Sequence, residues 1–264
     1  VPGHIYKRKW IPQFIAKHLT ESFLCVSKSS EEAFFDEEAQ EFSKELFTKG
    51  RKHFTIYNCI ETDISNSNTG TDHSTFNIQH STFTLGIVSR LSHEKGIDVL
   101  ISAMPMILKH NPNVKLLIVG EGAEKEKLNE LAEKLKVSDA ITWAGLQSKD
   151  SLAEFYSQMD VVVVPSRFEG FGLTAIEAMN HGIPVVASAV DGLKEVIVDG
   201  SSGVLFESED SDALSKTIVD LIENDVKRNS LAEAGKKRVD EHFSYTIYQQ
   251  KISELYEAVI GRKN

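Results

Sequence analysis

The sequence predicts an α/β protein built on a doubly wound parallel sheet, and three observations carry that prediction. From Phe83 onward, short β-branched runs alternate with stretches of helical apolar spacing, the pattern of parallel strands joined by crossover helices. The runs are apolar without alternation, as in the four consecutive valines Val161 to Val164, which suits strands covered by helices on both faces. Between Glu61 and Ser81 the composition turns abruptly to Asp, Ser, Asn, Thr, Gly and His, which marks a linker and a domain boundary.

Taken in order, residues 1 to 20 combine Lys7, Arg8, Lys9 and Lys17, without an acid, with Ile5, Trp10, Ile11, Phe14, Ile15 and Leu19. Two readings fit this segment: an amphipathic surface for an anionic membrane, or a helix packed on a neighbouring domain, which Pro12 favours by interrupting the run. Phe23 to Ser27 reads as a buried strand, Ser30 to Leu46 as an acidic helical stretch, and His53 to Tyr57 as a second strand. After the linker come a strand at Phe83 to Ser89, a helix at Ile97 to His110, a strand at Val114 to Val119 and a helix at about Ala123 to Lys136. That last helix buries Leu128, Leu131, Ala132 and Leu135, and offers Glu130 and Lys134 as an i,i+4 pair. A strand at Ala140 to Ala144 and a helix at Asp150 to Ser157 lead to Val161 to Ser188, which reads as strand, glycine-punctuated loop, helix and strand. A helix near Gly192 to Val198, a strand at Gly203 to Phe206 and helices at Asp212 to Glu223, Lys227 to Glu241 and Tyr245 to Ile260 complete the chain. The expected division is residues 1–63, a linker at 64–82, the α/β domain at 83–242 and a C-terminal helix at 243–264.

The bulk numbers exclude several classes. A net charge of −10 argues against nucleic acid as a partner, because phosphate backbones are met by basic surfaces. An anionic ligand therefore needs locally placed Arg and Lys. The two cysteines, Cys25 and Cys59, lie in apolar runs without metal-ligand spacing and read as buried free thiols of a reducing compartment. No stretch is long enough to span a bilayer and no signal peptide is visible, so the expectation is a cytoplasmic protein, peripheral to the inner face of the membrane if the basic N-terminal segment lies on it. Val1 in place of Met raises the reading that the chain is a piece of something longer.

In an open parallel sheet, ligands bind beyond the carboxyl ends of the strands, and three loops leave those ends with unusual residues. The loop Arg90 to Gly96 puts Arg90 and Lys95 just before a helix N-terminus, where free N–H groups and the helix dipole favour an anion. A guanidinium fork and a mobile ammonium together suit a diphosphate; the competing reading is two surface bases partnered by Glu94. In the loop Ser166 to Gly172, Gly170 and Gly172 bracket Phe171 and let backbone N–H groups reach a ligand. Glu169 enters from this loop, and Glu177, eight residues later, faces the crevice from the helix. Ionised carboxylates accept from vicinal hydroxyls such as those of a ribose or hexose. Next to a diphosphate, two acids cost on the order of a few kcal/mol in repulsion at an effective dielectric near 20, so Arg90 and Lys95 are required as compensation. Gly120-Glu121-Gly122 has Lys125 where a dinucleotide fingerprint needs its third glycine. Neither zinc-ligand spacing nor a nucleophile elbow is present.

Together these residues resemble the retaining glycosyltransferases of family 4, which have the two-domain GT-B fold. The resemblance rests on Glu169 to Glu177 as an E-x7-E motif within PSRFEGFGLTAIEAMNHGIPVVAS, on VSRLSHEKGIDVLISA, LLIVGEGAEKEKL, WAGL and DGSSGVLFE, in order, from Phe83 to Glu241. It implies that residues 83–242 are the Rossmann-like domain for a nucleotide-sugar donor, most simply UDP-linked, and that residues 1–63 are a remnant of the N-terminal acceptor domain. It implies that Arg90 and Lys95 hold the donor diphosphate, Glu169 contacts the transferred hexose and Glu177 binds the ribose. Gly170, Phe171, Gly172 and Leu173, with Gly120 and Gly122, would line the donor, and Leu146 and Gln147 would border the base. No metal and no separate cofactor are implied, and the acceptor would be a glycan or a lipid. Family members usually carry a whole N-terminal domain, and they have a glycine where Ser89 stands and Asn-Gly with an aspartate near Asn58 to Glu61. The chain is thus expected to supply the donor-binding domain of a transferase. The alternatives are a non-catalytic subunit of a split enzyme and, last, a nucleotide-sugar epimerase of the same fold.

Overall fold

The structure is a computed structural model that describes residues 20, 22–61 and 82–261. The basic segment before residue 20 and the linker between 62 and 81 lie outside the described residues. The chain divides into two units, one of the described residues up to Ile60 with those from Glu241 onward, the other Glu61–Asp240.

In the first unit, β1 (Phe23–Cys25) pairs in parallel with β2 (His53–Thr55). The acidic stretch expected as one helix is two, α1 (Lys28–Phe35) and α2 (Lys44–Thr48). Asp36 turns to a φ of 55° and stops the first, and Ser43 caps the second by accepting from the Leu46 N–H, a local hydrogen bond that competes with continuing the helix. The strands are also shorter than their apolar runs, ending at Cys25 and Thr55. Glu31 on α1 is fully buried and is satisfied by Arg51 at 2.7 Å, His53 Nδ1 at 2.8 Å and Thr55 Oγ1 at 2.7 Å, as a buried carboxylate must be. The terminal helix of the chain, Tyr245–Gly261, contributes Leu255 to a small core with Phe42, Phe47, Phe54 and Ile56. Neither cysteine is in a disulfide; Cys25 is buried, whereas Cys59, expected to be buried, is half-exposed because it lies in irregular chain after β2. Burial, reinforced by the charge of Glu31, pushes the Cys25 thiol up to about 12.

The second unit is a six-stranded sheet, β3 (Phe83–Val88), β4 (Val114–Val119), β5 (Ile141–Gly145), β6 (Val161–Val164), β7 (Val185–Ser188) and β8 (Val204–Phe206). Its spatial order is β5-β4-β3-β6-β7-β8, and every neighbouring pair is parallel. The helices between strands are α3 (Ile97–His110), α4 (Lys125–Lys134), α5 (Lys149–Tyr156), α6 (Leu173–Asn180) and α7 (Asp191–Val196), followed by α8 (Ser211–Glu223), α9 (Asp225–His242) and the terminal helix, α10. The fold class is therefore an α/β doubly wound parallel sheet.

All four valines of β6 are buried, which explains their lack of alternation. Leu100, Ile101, Met104 and Ile107 on α3 pack with Leu85 and Ile87 of β3 and with Leu214 and Ile218 of α8, all essentially withdrawn from water. Each such side chain contributes ~1.5–3 kcal/mol of transfer free energy. On α4 only Leu128 and Ala132 are fully buried, and its ion pairs are Lys125–Glu121 and Lys127–Glu124 rather than the expected Glu130–Lys134. At the β8 edge, the Leu205 N–H donates to Asp199 Oδ1 at 2.8 Å.

Candidate functional site

The strand order reverses once, between β3 and β6. Connections leave these two adjacent strands in opposite directions, so their carboxyl ends flank a crevice. Side chains from both lining loops meet there. A narrow cleft is bounded by Val88 at the end of β3, by Ser89 and Lys95 after it, by Pro165, Ser166 and Glu169 after β6, and by Thr174 on the first turn of α6.

Two glycines set the loop paths. Gly96 lies at a φ of 63°, and a Cβ there would run into the Pro165 carbonyl, so only glycine lets the His93–Lys95 3₁₀ turn come this close to the end of β6. Gly172, at a φ of 112°, begins α6 with its Cβ position 2.8 Å from Leu193 Cδ2. Lys95 and Glu169 are thereby brought into direct contact, with Nζ 2.6 Å from Oε2 and side chains only 22% and 16% exposed. The Ser166 hydroxyl lies 3.4 Å from the same carboxylate oxygen, and the Ser188 hydroxyl of β7 donates to the Ser166 carbonyl from beneath.

The remaining candidate residues distribute around this pair. Arg90 is exposed and forms no ion pair among the described residues. Glu177 lies one turn beyond Thr174 on α6, and the buried Tyr156 phenol donates to its Oε2 at 3.0 Å. Burial first, and then the charge of Glu177, push the Tyr156 phenol far above its ordinary range, so it remains a donor at any physiological pH. Its ring stacks on His181 at 4.9 Å. Phe171 and Gly172 are buried, Gly170 is half-buried and Leu173 is exposed at the helix start. At the end of β4, the Gly120 N–H donates to the Gly145 carbonyl at 2.8 Å, and Gly122 abuts the backbone of Leu91. Leu146 stands 79% exposed after β5, and the Gln147 amide donates to the Ala144 carbonyl at 2.6 Å. Among the described residues, no three His, Cys, Asp or Glu side chains are grouped to hold a metal ion, and no helix is long and apolar enough to cross a membrane.

A cleft at the switch point of a parallel sheet, carrying an ammonium, a carboxylate and a helix N-terminus, can hold an anion joined to hydroxyl groups. Residues 69–238 match the family described as glycosyl transferases group 1, which is well over half of the 264-residue chain. The chain belongs to this family. Among its relatives, a glycosyltransferase of Methanocaldococcus jannaschii is 35% identical over 170 residues, covering 64% of this chain and 43% of its own length. The D-inositol 3-phosphate glycosyltransferase of Corynebacterium urealyticum is 31% identical over 210 residues, covering 75% of this chain and 49% of its own. The chain thus spans less than half the length of these relatives. In fold it is similar to the crystal structure of Anabaena Alr3699/HepE in complex with UDP, with a TM-score of 0.80 at 24% identity over 97% of this chain and 70% of that one.

Sequence reasoning on this group 1 glycosyl transferase overlooks Arg167, Asp98, Glu209 and Tyr156. Arg167 forms a bidentate pair with Asp98, 2.9 and 2.7 Å, and a further bond of 2.7 Å to Glu209. Those hydrogen bonds hold its guanidinium well above the ordinary range. Its partners are 69 and 42 residues away in sequence, so no local spacing announces them. Tyr156 had a usable signal, an aromatic that closes the apolar spacing of α5 as its last residue.

Proposed function

We propose that this chain is the donor-binding part of a retaining glycosyltransferase of family 4, which transfers a hexose from a nucleotide-diphosphate sugar, most simply UDP-linked, to a glycan or lipid-linked acceptor. The observation that carries the proposal is the contact of Lys95 with Glu169 in the cleft where β3 and β6 diverge. On this reading the ammonium of Lys95 and the exposed guanidinium of Arg90, with the N-termini of α3 and α6, take the diphosphate without a metal ion. Glu169, released from Lys95, accepts from hydroxyls of the transferred sugar. Glu177, one oxygen fixed by Tyr156, offers the other to the ribose. The N–H groups from Gly170 to Leu173 face sugar and phosphate, Gly120 and Gly122 border the phosphates, and Leu146 with Gln147 borders the base. In the transfer, the bond from the anomeric carbon to the diphosphate oxygen breaks. The bond from that carbon to the acceptor oxygen forms on the same face, and the acceptor proton passes to the departing phosphate oxygen.

Calorimetric titration of the full chain with UDP tests this. Binding is expected, and Lys95→Ala or Glu177→Ala should weaken it by about tenfold or more, since each loses a charge-assisted hydrogen bond. Affinity unchanged in both variants would exclude the assignment. A second reading is a non-catalytic donor-binding subunit of a split enzyme. Hexose transfer by the chain alone to a glycan acceptor would exclude that version. Turnover of a nucleotide sugar with no acceptor present would instead favour an epimerase. A cytoplasmic location completes the proposal.

A further inference from the structure

Arg167 touches both loops that build the cleft. Its Nη1 donates to the His93 carbonyl at 2.7 Å and to Asp98 Oδ1 at 2.9 Å, its Nη2 to Asp98 Oδ2 at 2.7 Å and its Nε to Glu209 Oε1 at 2.7 Å. Its backbone N–H donates to the Glu94 carbonyl at 2.8 Å. The side chain is 17% exposed, and its fork is committed to one carboxylate and one carbonyl, a geometry lysine cannot reproduce. With these donors engaged it is not placed as a phosphate ligand. What it does is mechanical: His93 and Asp98 lie on either side of Lys95 in the chain, and Arg167 lies two residues before Glu169. One guanidinium therefore grips the turn that carries the ammonium from within the loop that carries the acid. Glu209, beyond β8, steadies it from a third segment.

We infer that Arg167 is a positioning residue that holds Lys95 against Glu169 and so sets the geometry in which the diphosphate is met. The inference rests on the donor-site reading for its consequence, but not for its geometry. Arg167 acts through Lys95 and touches no reacting atom. Removing it leaves the turn held to the β6 loop by the backbone bond of residue 167, by Gly96 packing and by the Lys95–Glu169 contact itself, which is then no longer braced.

Two measurements on the full chain test this. In trace acetylation read by mass spectrometry, Lys95 in the parent protein should be protected relative to Lys149, whose side chain is 88% exposed. Arg167→Ala should raise labelling of Lys95 several-fold and leave Lys149 unchanged. Unchanged Lys95 labelling in a folded variant overturns the inference, whatever the protein binds. If Arg167→Ala does not fold, Asp98→Asn, which removes one arm of the fork, should move Lys95 labelling in the same direction, and its failure to do so overturns the inference equally. In the second measurement, Arg167→Ala should weaken UDP binding by about tenfold in the parent background and by less than about twofold in Lys95→Ala, as residues acting through one another are non-additive. An equal loss in both backgrounds would reduce Arg167 to general stability. Absence of UDP binding by the parent would instead remove the donor-site reading and leave acetylation to decide the role of Arg167.

Discussion

Lys95 and Glu169 show what single residues disclose and what they do not. Each can be picked out by its neighbours, a base before a helix and an acid among glycines, yet nothing in the spacing says that they touch at 2.6 Å. Arg167 is harder still, because an arginine two positions from an acid looks like any solvated charge until the fold delivers Asp98 and Glu209 to it. Asp98 also gives a prediction at this scale. Burial pushes its carboxyl up, but the hydrogen bonds and charge of Arg167 outweigh burial and hold it below the usual range. A carboxyl depressed in the folded state adds stability that is fully present above its unfolded pKa, about 4, and lost as pH falls through the lower folded value. Asp98→Asn should therefore cost about 1 kcal/mol at pH 7, a discounted figure because the carboxylate is 40% exposed, and progressively less below pH ~4. Urea denaturation of both proteins across pH measures the difference; a constant gap down to pH 2 would contradict it.

At the scale of elements, apolar spacing marks the strands and helices after Phe83 to within about two residues, because most of them bury a continuous face that survives in the sequence. It does less well before the linker, where Asp36 and Ser43 use local side-chain and backbone choices to divide one acidic stretch into α1 and α2. The turn from His93 to Gly96 is the element on which the cleft depends most. Gly96→Ala places a Cβ against the Pro165 carbonyl and forces a φ of 63° on a residue that avoids it. The expected cost is about 1–3 kcal/mol, read as a lower urea midpoint with an unchanged slope. A variant as stable as the parent would show that the turn can move away from β6 freely.

For the molecule as a whole, alternating strands and helices foretell a parallel sheet, but the order β5-β4-β3-β6-β7-β8 is not written in periodicity. It follows from where each crossover returns, and it alone decides that the loops after β3 and β6 face each other. The sheet and its helices enclose their own core, from Leu85 on β3 to Leu214 and Ile218 on α8. A polypeptide of residues 82–242 should therefore fold cooperatively by circular dichroism and keep the UDP affinity of the full chain. Loss of cooperative melting would mean that the residues outside this span supply part of the core. The same sheet ends on β8, three residues long, where the Leu205 N–H is taken by Asp199. An edge strand with its outward donor satisfied by its own preceding turn offers less of a template for a strand from another molecule. At this edge Asp199 thus leaves an incoming strand without the one outward amide of β8 it would need to dock.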